Sequence, residues 1–351
     1  MSALFRLTLA VALLAIALPE VTLGPVLNPG AGGSFTFAMT AKLDGRPVFV
    51  KSLRGNTRGT RYANLEADVL AASIFQRAGV KCPTARIVRL SRTSSCKALG
   101  EVVQVMQFVD ERFAGGRVFP GFWPTAELAD IDVYIKIALV DVIIGNADRR
   151  DANFFVTTHT VTSRTGDGRV VHTPIPIDNN AGFGSMIPWF LSSDQVNFVQ
   201  SYDGLGPSGV AKQLGTIANI VRESPLSFPA LGLPALEPRV FELEAELHAR
   251  LDDGWWSAAV ALLPAEMIPD DLHVDPAHEM PDGSMPAGVT REAFFGSLVA
   301  GMSHAQLVAA RRQELRETFA WRREHLRAAL VRYLAWRRAD PELRKRDAEV
   351  R

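Results

Sequence analysis

The chain has 351 residues, more than the roughly 250–300 at which one hydrophobic core stops growing, so we expect two packed lobes or domains. Hydrophobic residues make up 47% and charged residues 22%, which excludes a chain disordered throughout. Lysine plus arginine and aspartate plus glutamate both number 38, so no net charge attracts the protein to nucleic acid or an anionic membrane. With only 2 cysteines, Cys82 and Cys96, a disulfide-rich scaffold is excluded, although these two could pair or stay free.

The first residues have features of a secretion signal. An apolar run from Leu7 to Leu18 follows a single Arg6 and is too short to span a bilayer, which needs about 20 residues. Ala15-Ile16-Ala17 fits the small-x-small pattern of a cleavage site. Three interpretations stay open: residues 1–17 are the signal peptide of an exported protein, a short helix packed on the fold of a cytoplasmic one, or the result of a start codon placed too early. No other stretch is long enough to cross a membrane.

Residues 18–110 are predicted to form a small antiparallel β-sheet with one helix. Asp44-Gly45 is a hairpin turn signal, and Gly79 is a common C-terminal cap for the helix before it. Apolar and polar residues alternate or recur at helical spacing in the segments between such signals. The predicted strands are 21–26, 35–41, 48–51, 85–90 and 101–109, and the predicted helix is 64–78.

Residues 111–351 are predicted to form a mainly helical second lobe. A loop rich in glycine and proline, around 115–124, could join the lobes. An apolar helix at 129–144 precedes strands at 154–161 and 169–177, and a long amphipathic helix is expected at 305–336. We therefore expect an α+β fold with two lobes. The basic stretch 311–346 is more typical of a solvated helix face than of a nucleic-acid site.

Two features of the first lobe suit nucleotide phosphates. Gly32, Gly33 and Ser34 lie between two predicted strands, where backbone N–H groups could approach an anion, although glycine clusters mostly mark turns. Lys51 ends the third strand and Glu66 lies in the first turn of the helix, the positions of the nucleotide lysine and its glutamate in kinases. We predict a Lys51–Glu66 ion pair; the alternatives are a solvated lysine and an acid that favours the helix dipole.

The polar segment between the apolar helix and the next strand carries a second pattern. Asp148 and Asn153 are five residues apart, as are the base and a metal ligand of the kinase catalytic loop. The strands predicted at 154–161 and 169–177 form a hairpin, and Asp178 ends its second strand. A carboxylate at this position is costly unless it is paired. Mg²⁺ prefers oxygen ligands. We predict Asn153 and Asp178 as metal ligands; the alternative for Asp178 is a helix cap.

These motifs together resemble the atypical kinases of the HipA, phosphatidylinositol 3/4-kinase and spore-coat CotH group. The resemblance covers about residues 20–190 and rests on Asn146-Ala147-Asp148-Arg149-Arg150-Asp151-Ala152-Asn153 and Ile177-Asp178-Asn179-Asn180. It implies a bacterial kinase with a two-lobed kinase fold that binds ATP and Mg²⁺. Asp148 would be the catalytic base with Arg149 beside it, and Arg150 stands where the group usually has histidine.

Four functions stay open on the sequence. Spaced histidine pairs, Gly-x-Ser-x-Gly and a P-loop are absent, which argues against zinc hydrolases, α/β-hydrolases and P-loop NTPases. Residues 184–206, expected to border the cleft, contain no lysine or arginine, so a protein or peptide acceptor is favoured over a lipid headgroup. A lipid or small-molecule kinase, a nucleotidyl transferase and an inert binding module are the alternatives. The oligomeric state is left open.

Overall fold

A computed structural model describes ten stretches of the chain: 18–29, 36–55, 65–121, 129–146, 149, 151–162, 168–179, 236–267, 303–339 and 341. Residues 1–17, Gly32, Gly33, Ser34, Asp148 and the segment 184–206 lie outside these stretches, so the predictions on them stay predictions. Within the described part, no helix combines the length and the apolar character needed to cross a membrane.

The first lobe is built on a six-stranded sheet. Its strands are β1 (Glu20–Val21), β2 (Val26–Asn28), β3 (Thr36–Leu43), β4 (Arg46–Gly55), β5 (Ala85–Leu90) and β6 (Val102–Gln107), in the order β1-β5-β6-β4-β3-β2. The predicted single strand 21–26 is wrong, because it divides into β1 and β2 at opposite edges. Gly24 and Pro25 interrupt the strand, and the chain crosses one face of the sheet with Leu23 buried beneath it.

The hairpin between β3 and β4 fixes the register of the central strands. Asp44 and Gly45 both have positive φ, +51° and +76°, as the two-residue turn predicted here requires. The pairing that follows sets Lys51 of β4 beside Ala38 of β3 and Gln104 of β6. Because side chains alternate along a strand, Val50 enters a core on one face while Lys51 lies on the other.

Helix α1 (Leu65–Arg77) covers the Lys51 face of this sheet. It ends at Gly79, whose φ of +77° confirms the predicted cap. Its apolar residues, among them Leu70 and Phe75, join a core shared with the helices of the second lobe. The lobes are therefore packed around one continuous core. Cys82 lies in this core and Cys96 in the core on the other side of the sheet, both as free thiols.

The second lobe combines a three-stranded sheet with helices. A short helix α2 (Glu111–Ala114) leads to β7 (Arg117–Pro120), α3 (Ile131–Ile144), β8 (Phe154–Thr162) and β9 (Gly168–Pro176), and the strands pair in the order β7-β8-β9. The connecting loop expected around 115–124 is wrong at residues 117–120, which form β7 and pair with β8. Short 3₁₀ turns at Lys97–Leu99, Asp151–Asn153 and Ala265–Met267 complete the elements of the described part.

Three further helices complete this lobe. They are α4 (Glu237–Arg250), α5 (Asp253–Ala261) and the 36-residue α6 (His304–Ala339). Helices α4 and α6 pack on α3, and α5 packs on α6 and α1. Trp256 of α5 stacks on Phe319 of α6 at a centroid distance of 4.1 Å, and its indole N–H donates to the Leu315 carbonyl. The predicted α+β fold, with a sheet lobe carrying one main helix and a mainly helical lobe, is confirmed.

Candidate active site

The Lys51 ammonium contacts two carboxylates that come from different parts of the fold. Its Nζ lies 2.6 Å from Asp68 Oδ2 on α1 and 2.8 Å from Asp178 Oδ1, just beyond β9. Burial lowers the pKa of Lys51, but the charges of Asp178 and Asp68 outweigh it and raise that pKa overall. The lysine is therefore a fixed cation, as a phosphate-binding group must be.

The predicted Lys51–Glu66 pair is wrong in its acidic partner. Glu66 pairs with Arg311 of α6 at 2.9 Å, and Asp68 takes the place beside Lys51. Residues two positions apart on an α-helix are rotated by about 200° around its axis, so Glu66 and Asp68 lie on opposite sides of α1. Because Asp68 is on the side that faces the sheet, it is the carboxylate that holds the lysine.

Asp178 is the most open member of this group. Its side chain is 38% exposed, whereas that of Lys51 is 5% exposed and that of Asp68 is fully buried. Its φ of +52° is left-handed, a conformation that aspartate tolerates better than most residues. Unusual backbone geometry of this kind concentrates at functional sites. Approach to the lysine from solvent is therefore on the Asp178 side.

The next residue, Asn179, links this group to residues 146–153, the predicted catalytic segment. Its backbone N–H donates to Asp68 Oδ1 at 2.6 Å, so Asp68 uses both carboxylate oxygens. Its side-chain amide oxygen accepts from Arg149 Nη2 at 2.5 Å. Asn179 thereby connects α1 of the first lobe to the segment that follows α3.

Arg149 is an organising residue of the site. It is 1% exposed, and its guanidinium binds both carboxylate oxygens of Asp141, at 2.9 and 3.0 Å. It also donates to the carbonyls of Asn153 and Ile177. Predicted as catalytic together with Asp148, Arg149 instead points inward and holds other groups in place, because burial among these partners directs it away from a substrate. We therefore assign it as a positioning residue.

Asp141 anchors the start of the predicted catalytic segment. It lies in the last turn of α3, and the side-chain amide of Asn146 donates to its Oδ1 at 3.1 Å. The helix ends at Gly145, whose φ of +68° starts the chain on a new course. The two described residues that flank 147–148, Asn146 and Arg149, both bind Asp141.

Strand pairing brings the two predicted metal ligands into neighbouring positions. Because β8 and β9 are antiparallel, with Phe154 beside Pro176, the start of β8 lies next to the end of β9. The Ile177 N–H donates to the Asn153 carbonyl at 3.0 Å, which places Asn153 against the residue that precedes Asp178. The chain thus supplies one amide and one carboxylate at this edge.

This donor set suits Mg²⁺. The ion commonly takes one or two protein carboxylates and completes its shell with phosphates and water. Lys51, Arg149, Asp68, Asp141 and Asp178 comprise two cations and three carboxylates, a formal charge of −1 that favours a bound cation. The described residues hold no group of three or more His, Cys, Asp or Glu that could bind a metal alone, so phosphate oxygens would supply the remaining ligands.

Sequence reasoning missed Asp68, Asp141 and Asn179. The sequence gives a weak signal for two of them: Asp68 is a second acid in the first turn of α1, and Asp141 is the one acid in the otherwise apolar second half of α3. A buried carboxylate among apolar residues requires a partner. That rule indicates that Asp141 is paired, but it does not identify Arg149 as the partner.

Comparisons with known proteins give similarity to two kinases. No family model and no curated protein matches the chain. The structure is similar to the proinflammatory kinase CtkA of Helicobacter pylori, with a TM-score of 0.49 and 9% identity over 91% of this chain and 99% of that chain. It is also similar to the Rio2 kinase of Chaetomium thermophilum, solved as an ADP/Mg²⁺-phosphoaspartate complex, with a TM-score of 0.30 and 13% identity over 66% of this chain and 71% of that chain.

Replacing Arg149 with Met should strongly destabilise the protein. The change leaves the Asp141 carboxylate buried without its cation, which costs about 3–5 kcal/mol. Urea unfolding followed by circular dichroism measures the free energy of unfolding. The matched control is Arg239→Met, which breaks an Arg–Asp pair with Asp132 that is largely exposed and should have little effect. Equal destabilisation by the two changes would contradict the role assigned to Arg149.

Proposed function

We propose that the protein is an ATP- and Mg²⁺-dependent phosphotransferase of the atypical HipA-like kind, and that its acceptor is a hydroxyl group of a protein or peptide. The observation that carries the proposal is the convergence of Lys51, Asp68 and Asp178. A strand lysine held by a helix carboxylate, beside a carboxylate from the other lobe, matches the arrangement that phosphoryl transfer requires.

In this proposal Lys51 binds phosphate oxygens of the nucleotide. Asp68 keeps the ammonium in place through a 2.6 Å contact and is itself fixed by the Asn179 N–H. Asp178 contacts the same ammonium at 2.8 Å from the more exposed side. When phosphates arrive from that side, Lys51 is already oriented towards them, so little reorganisation is needed.

Asn153 and Asp178 would hold Mg²⁺, which when bound neutralises charge on the phosphate oxygens. The segment anchored by Asp141 and Arg149 carries Asp148, which would orient the acceptor hydroxyl and take up its proton. Gly32, Gly33 and Ser34 would cover the phosphates with backbone N–H groups. The absence of lysine and arginine from 184–206 supports a protein or peptide acceptor over an anionic lipid headgroup.

The direct test is incubation of the purified chain with Mg²⁺ and ATP labelled at either the γ- or the α-phosphate, with a generic acceptor protein and without it. We expect γ-label on protein and none from α-labelled ATP. Transfer of α-label would identify a nucleotidyl transferase instead. Nucleotide binding without transfer or hydrolysis would favour an inert module. If the chain neither bound the nucleotide nor transferred phosphate, the proposal would be refuted.

Asp178→Ala should abolish Mg²⁺-dependent nucleotide binding. The change removes the proposed metal carboxylate and one of the two anions beside Lys51. Calorimetric titration with ATP, with and without Mg²⁺, measures the effect, and circular dichroism verifies the fold. A suitable control is Asp132→Ala, which breaks an exposed pair with Arg239 away from these residues. Wild-type affinity in folded Asp178→Ala protein would rule out the metal assignment.

Asp148→Asn should separate binding from turnover. An asparagine keeps the shape of the side chain but cannot accept the hydroxyl proton, so turnover should fall about 10²–10⁴-fold, the usual contribution of a positioned acid–base group. Nucleotide affinity should change little. Steady-state kinetics and calorimetry on the same preparation give the two values. Unaltered turnover would remove Asp148 from the mechanism.

A further inference from the structure

Two arginines of α6 are buried, although a solvated face was expected for the basic stretch 311–346. Arg311 is fully buried and Arg322 is 2% exposed, so the expectation is wrong at these two positions. They are eleven residues apart, which on an α-helix is about three turns and about 16 Å along one face. Burial of an arginine is costly unless its charge has partners, so each position calls for a specific contact.

Arg311 ties α6 to the helix that holds the nucleotide lysine. Its Nε lies 2.9 Å from Glu66 Oε1, and its Nη1 lies 2.8 Å from Glu314 Oε2 on its own helix. Glu66 is also fully buried, so this pair is inaccessible to solvent. Because Glu66 and Asp68 lie on opposite sides of α1, one side is bound to α6 and the other to Lys51. The α6 contact therefore limits how far α1 can turn away from the lysine.

Arg322 contacts the end of α3, immediately before the catalytic segment. Its Nη1 lies 3.4 Å from the Val142 carbonyl. A Cβ added to Gly145 would lie 1.9 Å from Arg322 Nη1, so the guanidinium fills the space that a side chain would occupy. The C-terminal end of a helix carries partial negative charge, which favours a cation there. The exit of the chain from α3 into residues 146–153 is therefore set against α6.

We propose that α6 is a brace for phosphoryl transfer, and that Arg311 and Arg322 are positioning residues that set Lys51 and the catalytic segment relative to each other. The inference rests on the proposed function. Arg311 acts on Lys51 through Glu66, α1 and Asp68, whereas Arg322 acts on the segment that carries Asp148. The two arginines should therefore affect different kinetic constants, which a purely structural role would not produce.

The kinetic test compares Arg311→Met and Arg322→Met with the matched control Arg327→Met. Arg327 lies on the same helix and pairs with buried Glu244 at 2.7 Å, but its own side chain is 60% exposed and that pair joins α6 to α4. Arg311→Met should weaken binding of Mg²⁺-ATP about 10–100-fold, the range for removing a residue that orients a ligand-binding group. Arg322→Met should lower kcat by a similar factor with affinity within about twofold of wild type, and Arg327→Met should leave both within about twofold.

The two cysteines provide a test that needs no nucleotide. Cys82 lies just beyond α1, with its Sγ 3.4 Å from the Pro176 carbonyl at the end of β9, in the core shared by both lobes. Cys96 lies in the separate core on the other face of the sheet. In Arg311→Met, Cys82 should react with a thiol reagent at least about tenfold faster than in wild type, because α1 docks less firmly. Cys96 should not change, and peptide mass spectrometry separates the two sites.

A third variant covers the case in which Arg311→Met fails to fold. Glu66→Leu combined with Arg311→Met removes both members of the fully buried pair, and the second partner of Arg311, Glu314, lies on α6 itself with a side chain that is 12% exposed. This folded double variant should show the same loss of nucleotide affinity and the same exposure of Cys82. If any folded Arg311 variant bound Mg²⁺-ATP with wild-type affinity and protected Cys82 as wild type does, the proposed role of α6 would be refuted. If wild-type protein transfers no phosphate, the proposed function fails, and the Cys82 comparison still decides whether α6 holds α1.

Discussion

The site depends on one buried ammonium group that needs two carboxylates. Lys51 is 4% exposed, and a charge so far from water is tolerated only with close partners. Asp68 comes from α1 and Asp178 from the end of β9, so the pairing is complete only when the sheet, the helix and the second lobe are all docked. Folding and assembly of this charged group are consequently the same event.

The other buried polar contacts extend this requirement across the molecule. Asp68 accepts from Asn179, Asn179 accepts from Arg149, and Arg149 binds Asp141 of α3. Each member has more than one partner. In a low-dielectric interior, a polar network that has lost one member is less stable than an apolar core, because its remaining groups are left unpaired. The connections run from β4 to the last turn of α3 without a break. In the proposed function, a substrate therefore meets groups that are already oriented, which is the main source of electrostatic catalysis in enzymes.

Local signals predicted much of the fold, and tertiary contacts account for what was missed. The turn at Asp44-Gly45, the end of α1 at Gly79 and the β8–β9 hairpin follow from turn chemistry and periodicity, and all were predicted. Whether Asp68 or Glu66 pairs with Lys51 depends on how α1 is rotated on the sheet. The spacing of residues along the chain does not determine that rotation. Likewise β7 is short and becomes a strand because β8 offers an edge. Proximity of Lys51 and Asp178, 127 residues apart, was predicted only through the kinase pattern.

The position of α1 bears on how such an enzyme could be controlled. In many kinases the helix that holds the nucleotide lysine moves between active and inactive positions. Here α1 is bound near its start by Glu66–Arg311 and near its end by Arg77, which donates to the Arg250 carbonyl and lies over the Trp255 ring. Moving α1 outward would break the buried Glu66–Arg311 pair and also open the core that both lobes share. A two-state element that responds to ligands differs by only a few kcal/mol between its states. Helix α1 is thus poorly suited to be that element.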